Sequence, residues 1–357
     1  MSAITISGDL VHYEVLGRGK PVILLHSWLG SWRYWIPTMQ QLSVKYRTYA
    51  LDLWGFGDSG KHRTYYNIDG QVELLQGFIE GMALTKAVFV GHGLGAAVLA
   101  HYATRSQSNR DKVHRMMVIA PPVYDTGTQQ LTQNRSSSPI SPTPSPSPPS
   151  SSSQSTSHNA NTIMRPSDSD RERLQQGQNL PNNHSDPTVQ RPRELTSDEM
   201  SLPSPTSPIL DTMVRGSNPL ADIISKTKPV DLLSRYVDTT SSDYEKLKIE
   251  VEKADEEALS KSAQSLSRAN VFLNLMQLKT PTVAVYGNDD TFVTQPPSIL
   301  MDKMREREQF KIITLDGVRH FPMLEDITQF TRLLREFLEV PNVMDLEVKE
   351  EWKRRNR

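Results

Sequence analysis

The sequence contains no cysteine, which excludes disulfide bonds, thiolate zinc sites and a cysteine nucleophile. Its formal net charge of −1 gives no electrostatic reason to expect nucleic acid or an acidic membrane surface as a partner. No stretch approaches the roughly 18 consecutive apolar residues that a membrane span requires, and no basic segment with a long apolar run opens the chain. We therefore expect a cytoplasmic protein that uses no metal or cofactor and binds neither nucleic acid nor membrane.

Short aliphatic runs, in contrast, are plentiful, and they alternate with helical periodicity through the first third of the chain. This alternation predicts βαβ units and a mostly parallel sheet. The predicted strands cover residues 22–25, 47–51, 87–90, 115–120, 282–286 and 310–315, after a hairpin within 4–15. Apolar residues spaced by three and four predict helices over 68–82 and 330–338.

The composition changes abruptly between residues 125 and 218, where Ser, Pro, Thr, Asn and Gln dominate. Such a segment has too few apolar side chains to offset its ordering entropy, so we predict disorder there. We assign the α/β core to 1–122 and 278–341, a helical cap region with this insertion to 123–277, and a tail to 342–357. Two hypotheses remain open for the insertion: a neutral expansion of a surface loop, or a segment that binds a protein partner or is phosphorylated.

A short motif at residues 90–95 (VGHGLG) follows the strand pattern at 87–90 and opens a helical pattern over 94–105. This is the strand, turn and helix context of the G-x-S-x-G nucleophile elbow, whose central residue normally presents a hydroxyl. The central residue here is Gly93, which has no side chain. Glycine also accepts the positive φ of such a turn without the penalty of about 1–3 kcal/mol that other residues incur.

Five motifs occur in one order, each at the end of a predicted strand. They are residues 26–30 (HSWLG), 52–59 (DLWGFGDS), 91–95 (GHGLG), 287–293 (GNDDTFV) and 317–325 (GVRHFPMLE). Together they resemble the α/β-hydrolase superfamily, in particular its capped branch of epoxide hydrolases, haloalkane dehalogenases and small esterases. The resemblance covers essentially the whole core and implies an α/β-hydrolase fold, a mostly parallel sheet flanked by helices, with a helical cap.

The resemblance implies that His320 is the general base and that Asp290 is the acid that orients it. Asp289 is the neighbouring alternative for the acid, although the spacing of the motif favours Asp290. Asp125, just after the fourth parallel strand, is a position from which some relatives supply the acid, and we rank it below Asp290.

The resemblance also implies an oxyanion hole made by the main-chain amides of Trp28 and Leu94. The chain departs from the family at two positions. Ser27 replaces the usual glycine beside the histidine of the first motif, where it could crowd the oxyanion loop. Gly93 replaces the nucleophile, which removes the family's covalent chemistry from that position.

Three further residues, His26, Ser27 and Trp54, are predicted to line the pocket. His92, inside the elbow motif, is predicted to point away from the reacting centre, as a packing or hydrogen-bonding residue.

Three hypotheses for function follow from a missing nucleophile. The first is a degenerate hydrolase that binds a small apolar or ester-like ligand, or a protein partner. The second is a hydrolase or lyase in which the Asp290–His320 dyad activates water, lodged in the space vacated at Gly93, or a substrate proton. The third is a serine ester hydrolase that carries an isolated Ser-to-Gly change.

Overall fold

The structure, a computed structural model, describes residues 2–123, 219–266 and 269–348. The insertion predicted over 125–218, the alternative acid Asp125 and the end of the predicted tail lie outside the described residues.

Eight strands form a single sheet. They are β1 (Ser2–Ile6), β2 (Asp9–Leu16), β3 (Lys20–Leu25), β4 (Tyr46–Leu51), β5 (Ala87–His92), β6 (Val113–Ile119), β7 (Thr282–Gly287) and β8 (Phe310–Leu315). Their order across the sheet is β1-β2-β4-β3-β5-β6-β7-β8. The pairs β1–β2 and β2–β4 are antiparallel and every later pair is parallel, which confirms the predicted mostly parallel sheet.

Twelve α-helices flank or follow these strands within the described residues. They are α1 (Ile36–Leu42), α2 (Ile68–Gly81), α3 (Leu94–Arg105), α4 (Gln107–Lys112), α5 (Pro219–Lys226), α6 (Pro229–Tyr236), α7 (Ser242–Lys253), α8 (Glu256–Ser265), α9 (Val271–Gln277), α10 (Ser298–Arg305), α11 (Pro322–Glu325) and α12 (Ile327–Glu339). The five helices α5 to α9 lie in sequence between β6 and β7, and we call them the inserted helices.

The packing of α3 against the sheet depends on two glycines of the elbow motif. A Cβ on Gly95 would lie 2.6 Å from the Cβ of Leu25, and a Cβ on Gly91 would lie 2.6 Å from the carbonyl of Gly95. Because neither side chain exists, α3 begins directly over the ends of β3 and β5. This close approach fixes the turn between β5 and α3 in space.

The carboxyl ends of the parallel strands meet at one edge of the sheet. Leu25 of β3 pairs with Gly91 of β5, and Gly287 of β7 pairs with Leu315 of β8. The loops that follow these four strands carry four of the five motifs, so the sheet gathers residues that are distant in sequence. Ligand sites of open α/β sheets lie at this edge.

Candidate functional site

A histidine and an aspartate from two different loops meet at the carboxyl edge of the sheet. His320, in the loop after β8, lies with its Nδ1 2.8 Å from Oδ2 of Asp290, in the loop after β7. The other oxygen of Asp290 accepts hydrogen bonds from the amides of Phe292 (2.8 Å) and Val293 (3.0 Å). Both side chains of the pair are buried, whereas Asp289 is exposed. The structure therefore brings His320 together with Asp290 and leaves Asp289 at the surface.

The far nitrogen of this histidine meets a hydroxyl. Ser27 Oγ lies 3.2 Å from His320 Nε2. Because Nδ1 of His320 donates to the carboxylate of Asp290, Nε2 is the acceptor, and the Ser27 hydroxyl donates to it. Ser27, His320 and Asp290 thus form a hydrogen-bonded chain of hydroxyl, imidazole and carboxylate, the order found in serine hydrolases.

Gly93 adopts the conformation expected of an elbow, with φ of 52° and ψ of −108° at the start of α3. A Cβ built on this glycine would lie 2.1 Å from Ser27 Oγ and 2.9 Å from Ser27 Cβ. The space of the missing side chain is therefore filled by the hydroxymethyl group of Ser27. This corrects two expectations from the sequence: the position holds no room for a lodged water, and Ser27 does more than crowd the oxyanion loop.

The two amides predicted for the oxyanion hole flank these exchanged positions. Trp28 follows Ser27 and Leu94 follows Gly93, and both residues are fully buried. Among the described residues, neither main-chain N–H donates a hydrogen bond. Free amides at this place are what a developing oxyanion needs as donors.

His26 holds two loops together. Its Nδ1 donates to the carbonyl of Ser27 at 2.7 Å, and its Nε2 accepts from the amide of Leu53 at 3.0 Å. Burial lowers the pKa of His26, although the charge of Asp52 opposes this shift. The ring is therefore held neutral, and its two contacts position the Ser27 backbone instead of lining a pocket.

His92 packs against His320, and their ring centroids are 4.3 Å apart. The Tyr34 hydroxyl accepts from the Ser27 amide (2.7 Å) and contacts His92 Nδ1 (3.0 Å), to which it can donate. Burial, and the nearby His320, hold the pKa of His92 well below its ordinary value. His92 is thus closer to the reacting centre than the sequence predicted, as a neutral acceptor that fixes Tyr34.

Aromatic side chains cover the site. Phe292 packs edge-on against His320 at 4.9 Å between ring centroids, and Tyr236 of α6 packs on Phe292 at 4.7 Å. The indole Nε1 of Trp28 donates to Ser262 Oγ of α8 at 3.0 Å. The inserted helices therefore reach the site through two side chains.

A cavity of about 340 Å³ has Tyr34 in its lining. Ile36, Pro37 and Leu324 contribute apolar lining, and Leu247 of α7 closes it from the inserted helices. Its volume falls in the range of small-molecule sites.

Trp54 is buried away from this cluster in its described contacts. Its ring stacks on Tyr65 at 5.7 Å between centroids, and its amide and carbonyl are both bound by the side chain of Gln71. The structure therefore places Trp54 in the architecture of the loop after β4.

One group of side chains in the described part of the chain could hold a metal ion: His12, Asp52 and Asp58. Asp52 already accepts hydrogen bonds from the amides of Trp32 (2.9 Å) and Asp58 (3.0 Å) and contacts His12 Nδ1 at 2.9 Å. Its oxygens are therefore engaged in holding the loop after β4.

Two contributions to the site could not be read from the motifs. The sequence marked Ser27 and Gly93 as separate departures, whereas the structure shows that one fills the space of the other. A joint signal existed, because a glycine and a serine have exchanged places between two motifs. Tyr34 carried no motif signal.

The comparisons with known proteins agree with this architecture. A family model described as alpha/beta hydrolase fold matches residues 20–138. The chain is 31% identical over 114 residues to the soluble epoxide hydrolase of Corynebacterium sp. (strain C12), which covers 32% of this chain and 39% of that protein. It is 29% identical over 115 residues to the pimeloyl-[acyl-carrier protein] methyl ester esterase of Vibrio vulnificus (strain CMCP6), which covers 32% and 42% of the two chains. The matches thus span about two fifths of the length of these relatives.

Solved structures match over nearly the whole chain. A thermophilic esterase from Thermogutta terrifontis superposes with a TM-score of 0.59 and 16% identity, covering 95% of this chain and 98% of that one. An esterase from Exiguobacterium antarcticum gives a TM-score of 0.60 and 14% identity, with coverage of 95% and 99%. These likenesses confirm the fold predicted from the sequence. In the described residues, no helix combines the length and the apolar character needed to cross a membrane.

Proposed function

We propose that this chain, a member of the α/β-hydrolase superfamily, hydrolyses small ester-like substrates with His320 as general base. Asp290 orients the imidazole and stabilises the positive charge that it gains when it takes a proton. The amides of Trp28 and Leu94 bind the oxyanion that forms from the substrate carbonyl.

The observation that carries this proposal is the buried hydrogen bond of 2.8 Å between His320 and Asp290 at the carboxyl edge of the sheet. Burial of such a polar pair is weak evidence for stability, because the loss of its contacts with water offsets most of the gain. Its position at the edge of the sheet where α/β folds bind ligands therefore supports a chemical role. The names of the two relatives, an epoxide hydrolase and a methyl ester esterase, support the same reaction class.

The inserted helices serve in this proposal as a cap that covers the reacting groups. The contacts of Tyr236 and Ser262 with the aromatic cover support this role. A cytoplasmic location and a protein partner for the insertion over 125–218 stay predictions from the sequence.

The test is the hydrolysis of p-nitrophenyl acetate by the wild-type protein and by His320→Ala. We expect kcat/KM to fall by roughly 10²–10⁴ in the variant, which is the usual contribution of a general base. His12→Ala is the matched control, because it removes the other buried histidine that is paired with an aspartate. Equal activity of the wild type and His320→Ala, or no turnover above the rate in buffer, would overturn the proposal.

The second candidate is a ligand-binding protein without turnover, and the cavity lined by Tyr34 and Leu247 favours it. A small apolar ether or ester would then raise the melting temperature in a saturable way while remaining intact. Leu247→Trp should abolish that shift by filling the cavity. Turnover that depends on His320 would reject this candidate.

A further inference from the structure

The geometry points to Ser27 as the catalytic nucleophile, transferred from the elbow to the loop after β3. This inference rests on the proposed hydrolase function and assigns the residue that attacks the substrate. The resemblance implies a serine at the elbow of the family's esterases and a glycine beside the histidine of the first motif, whereas this chain has Gly93 and Ser27 at these two positions.

The first support is the position of the hydroxyl. Ser27 Oγ lies only 2.1 Å from where a Cβ on Gly93 would be. A serine at position 93 would carry its own oxygen about one C–O bond length from that Cβ. The nucleophilic oxygen therefore occupies nearly the same volume, although it is attached to a different loop.

The second support is the contact with the base. Ser27 Oγ lies 3.2 Å from His320 Nε2, at the outer limit of the distance over which a nucleophile and its base exchange a proton. The 2.8 Å contact between Nδ1 and Asp290 selects the tautomer in which Nε2 accepts that proton.

The third support is the rigid backbone of Ser27. His26 donates to the Ser27 carbonyl at 2.7 Å, and the Ser27 amide donates to Tyr34 at 2.7 Å. The main chain is therefore held on both sides of the residue, which fixes the direction of the hydroxymethyl group.

The two predicted oxyanion-hole amides can serve with the nucleophile at either position. In the elbow arrangement the donors are the amide after the nucleophile and the amide of Trp28. With Ser27 as nucleophile, Trp28 becomes the residue after the nucleophile and Leu94 supplies the second amide. Neither N–H donates to another described residue, so both are available in either arrangement.

The step can be written with all atoms balanced. The Ser27 hydroxyl proton moves to His320 Nε2, Oγ bonds to the ester carbonyl carbon, and the carbonyl electron pair moves onto the oxyanion. The carbonyl then re-forms, the alkoxide leaves with the proton from His320, and an acyl ester remains on Ser27. Water loses a proton to His320 and adds to this acyl carbon, and Ser27 leaves with that proton.

This chemistry selects carboxylic esters over epoxides. Attack of a hydroxyl on an epoxide would form an ether on the protein, which water attacking through the same groups does not cleave. Attack on an ester forms an ester, which the same base can hydrolyse. We therefore expect short carboxylic esters as substrates and no turnover of epoxides.

Diisopropyl fluorophosphate tests the assignment on the full-length protein. Its phosphorus bonds to the attacking oxygen, fluoride leaves, and the proton passes to the base. Because trypsin does not cleave before proline, the expected adduct lies in the peptide of residues 19–33, which also contains Ser31. Fragmentation must place the adduct on Ser27, and it should be absent in Ser27→Ala and His320→Ala but present in Ser31→Ala.

Turnover separates this inference from the function on which it rests. We expect Ser27→Ala to lose roughly a thousandfold or more in kcat. If Ser27→Ala keeps turnover that still requires His320, the hydrolase function holds and Ser27 is not the nucleophile. If the wild type shows no turnover that depends on His320, the proposed function itself fails.

The absence of cysteine allows a second readout that does not depend on turnover. Ser27→Cys would create the single thiol of the chain. A thiol beside His320 should form a thiolate well below its ordinary pKa of about 8.5 and react quickly with iodoacetamide near pH 6. The same thiol in Ser27→Cys/His320→Ala should react only at alkaline pH. Equal profiles for the two proteins, or no reaction in the folded state, would overturn the assignment.

Discussion

Within the described residues, two buried histidines form hydrogen bonds of nearly equal length to an aspartate. His320 Nδ1 lies 2.8 Å from Asp290, and His12 Nδ1 lies 2.9 Å from Asp52. In both pairs the aspartate also accepts two main-chain N–H groups and so shapes its own loop. The carboxylate side of the two pairs is therefore alike.

The two pairs differ at the far nitrogen of the imidazole. His320 Nε2 faces the hydroxyl of Ser27 at 3.2 Å, whereas His12 Nε2 faces the carboxylate of Glu14 at 3.5 Å. Burial lowers the pKa of His12, but the hydrogen bond and charge of Asp52 outweigh it, so the net shift is upward. The carboxylates on both sides of His12 favour its protonated form, whereas His320 faces a hydroxyl. In our proposal, the group beyond the imidazole thus separates the catalytic pair from the pair that holds a loop.

A glycine accompanies each pair. Gly57 has a φ of 51°, and a Cβ on it would lie 2.2 Å from Asp52 Oδ2; Gly93 has a φ of 52°, and its Cβ would lie 2.1 Å from Ser27 Oγ. In both places the missing side chain makes room for a polar atom. At Gly57 that atom anchors a loop, and at Gly93 it is the hydroxyl that faces His320.

The largest difference between the pairs should appear when each aspartate is neutralised. Asp290→Asn should lower kcat for p-nitrophenyl acetate by about 10³–10⁴, because an amide favours the wrong tautomer of His320. Asp52→Asn should leave kcat within a few-fold and instead lower the free energy of unfolding by about 3 kcal/mol. The test measures kcat by steady-state kinetics and the free energy of unfolding by urea titration for both variants. Equal losses of kcat at equal stability would remove the distinction between the pairs.

Substitutions at Gly93 and Gly57 should have effects of intermediate size, on the free energy of unfolding. Gly93→Ser should lower the free energy of unfolding by about 1–3 kcal/mol, because the new Cβ meets Ser27. Adding Ser27→Gly should recover most of this loss and give the arrangement that the resemblance implies for serine esterases, with hydrolysis now dependent on residue 93. Gly57→Ser should lower the free energy of unfolding by a similar amount. Adding Asp52→Gly should lower it further, because two main-chain amides lose their acceptor.

A double-mutant cycle in urea measures both couplings. We expect coupling energies of the same sign at the two glycine positions, because removing the facing side chain relieves the clash in each case. The total stability should differ instead: it recovers at Gly93, but not at Gly57, since Asp52→Gly is destabilising by itself. Additive effects at Gly93 and Ser27 would mean that the two residues do not share one space. The isolated-change hypothesis predicts instead that Gly93→Ser alone gains ester turnover, so the single variant also decides that question.

The sequence predicted the scaffold well because its signals are local. The helix after the elbow begins and ends at the predicted residues, Leu94–Arg105, since strand and helix periodicities change sharply there. The strands of the core fall within one or two residues of their predicted bounds at most ends. The order of the five motifs then fixed which loops meet at the carboxyl edge.

The relation between Ser27 and Gly93 could not be predicted from single motifs, because it is a contact between two loops. Each motif alone shows a departure, and only their packing shows that one side chain fills the space of the other. The positions of Tyr34 and His92 depend in the same way on burial and on side-chain torsions. Local periodicity contains no information about either.

The smallest effect should appear in the dependence of stability on pH, where the buried histidines act in opposite directions. Burial lowers the pKa of His92 well below that of the unfolded chain, near 6.5, so below that pH the unfolded state binds the additional proton. His92 therefore removes stability as the pH falls through about 6.5. The pKa of His12 is raised, so its stabilising contribution is complete below about pH 6.5 and is lost as the pH rises through the folded value.

The measurement is the urea midpoint between about pH 7 and pH 5, which should fall as the pH falls. His92→Asn keeps an acceptor for Tyr34 and should make this fall smaller. His12→Asn keeps a donor for Asp52 and should make it larger. Changes of the same sign in both variants would show that the contact with Asp52 does not favour the protonated form of His12, and would remove this difference between the two histidines.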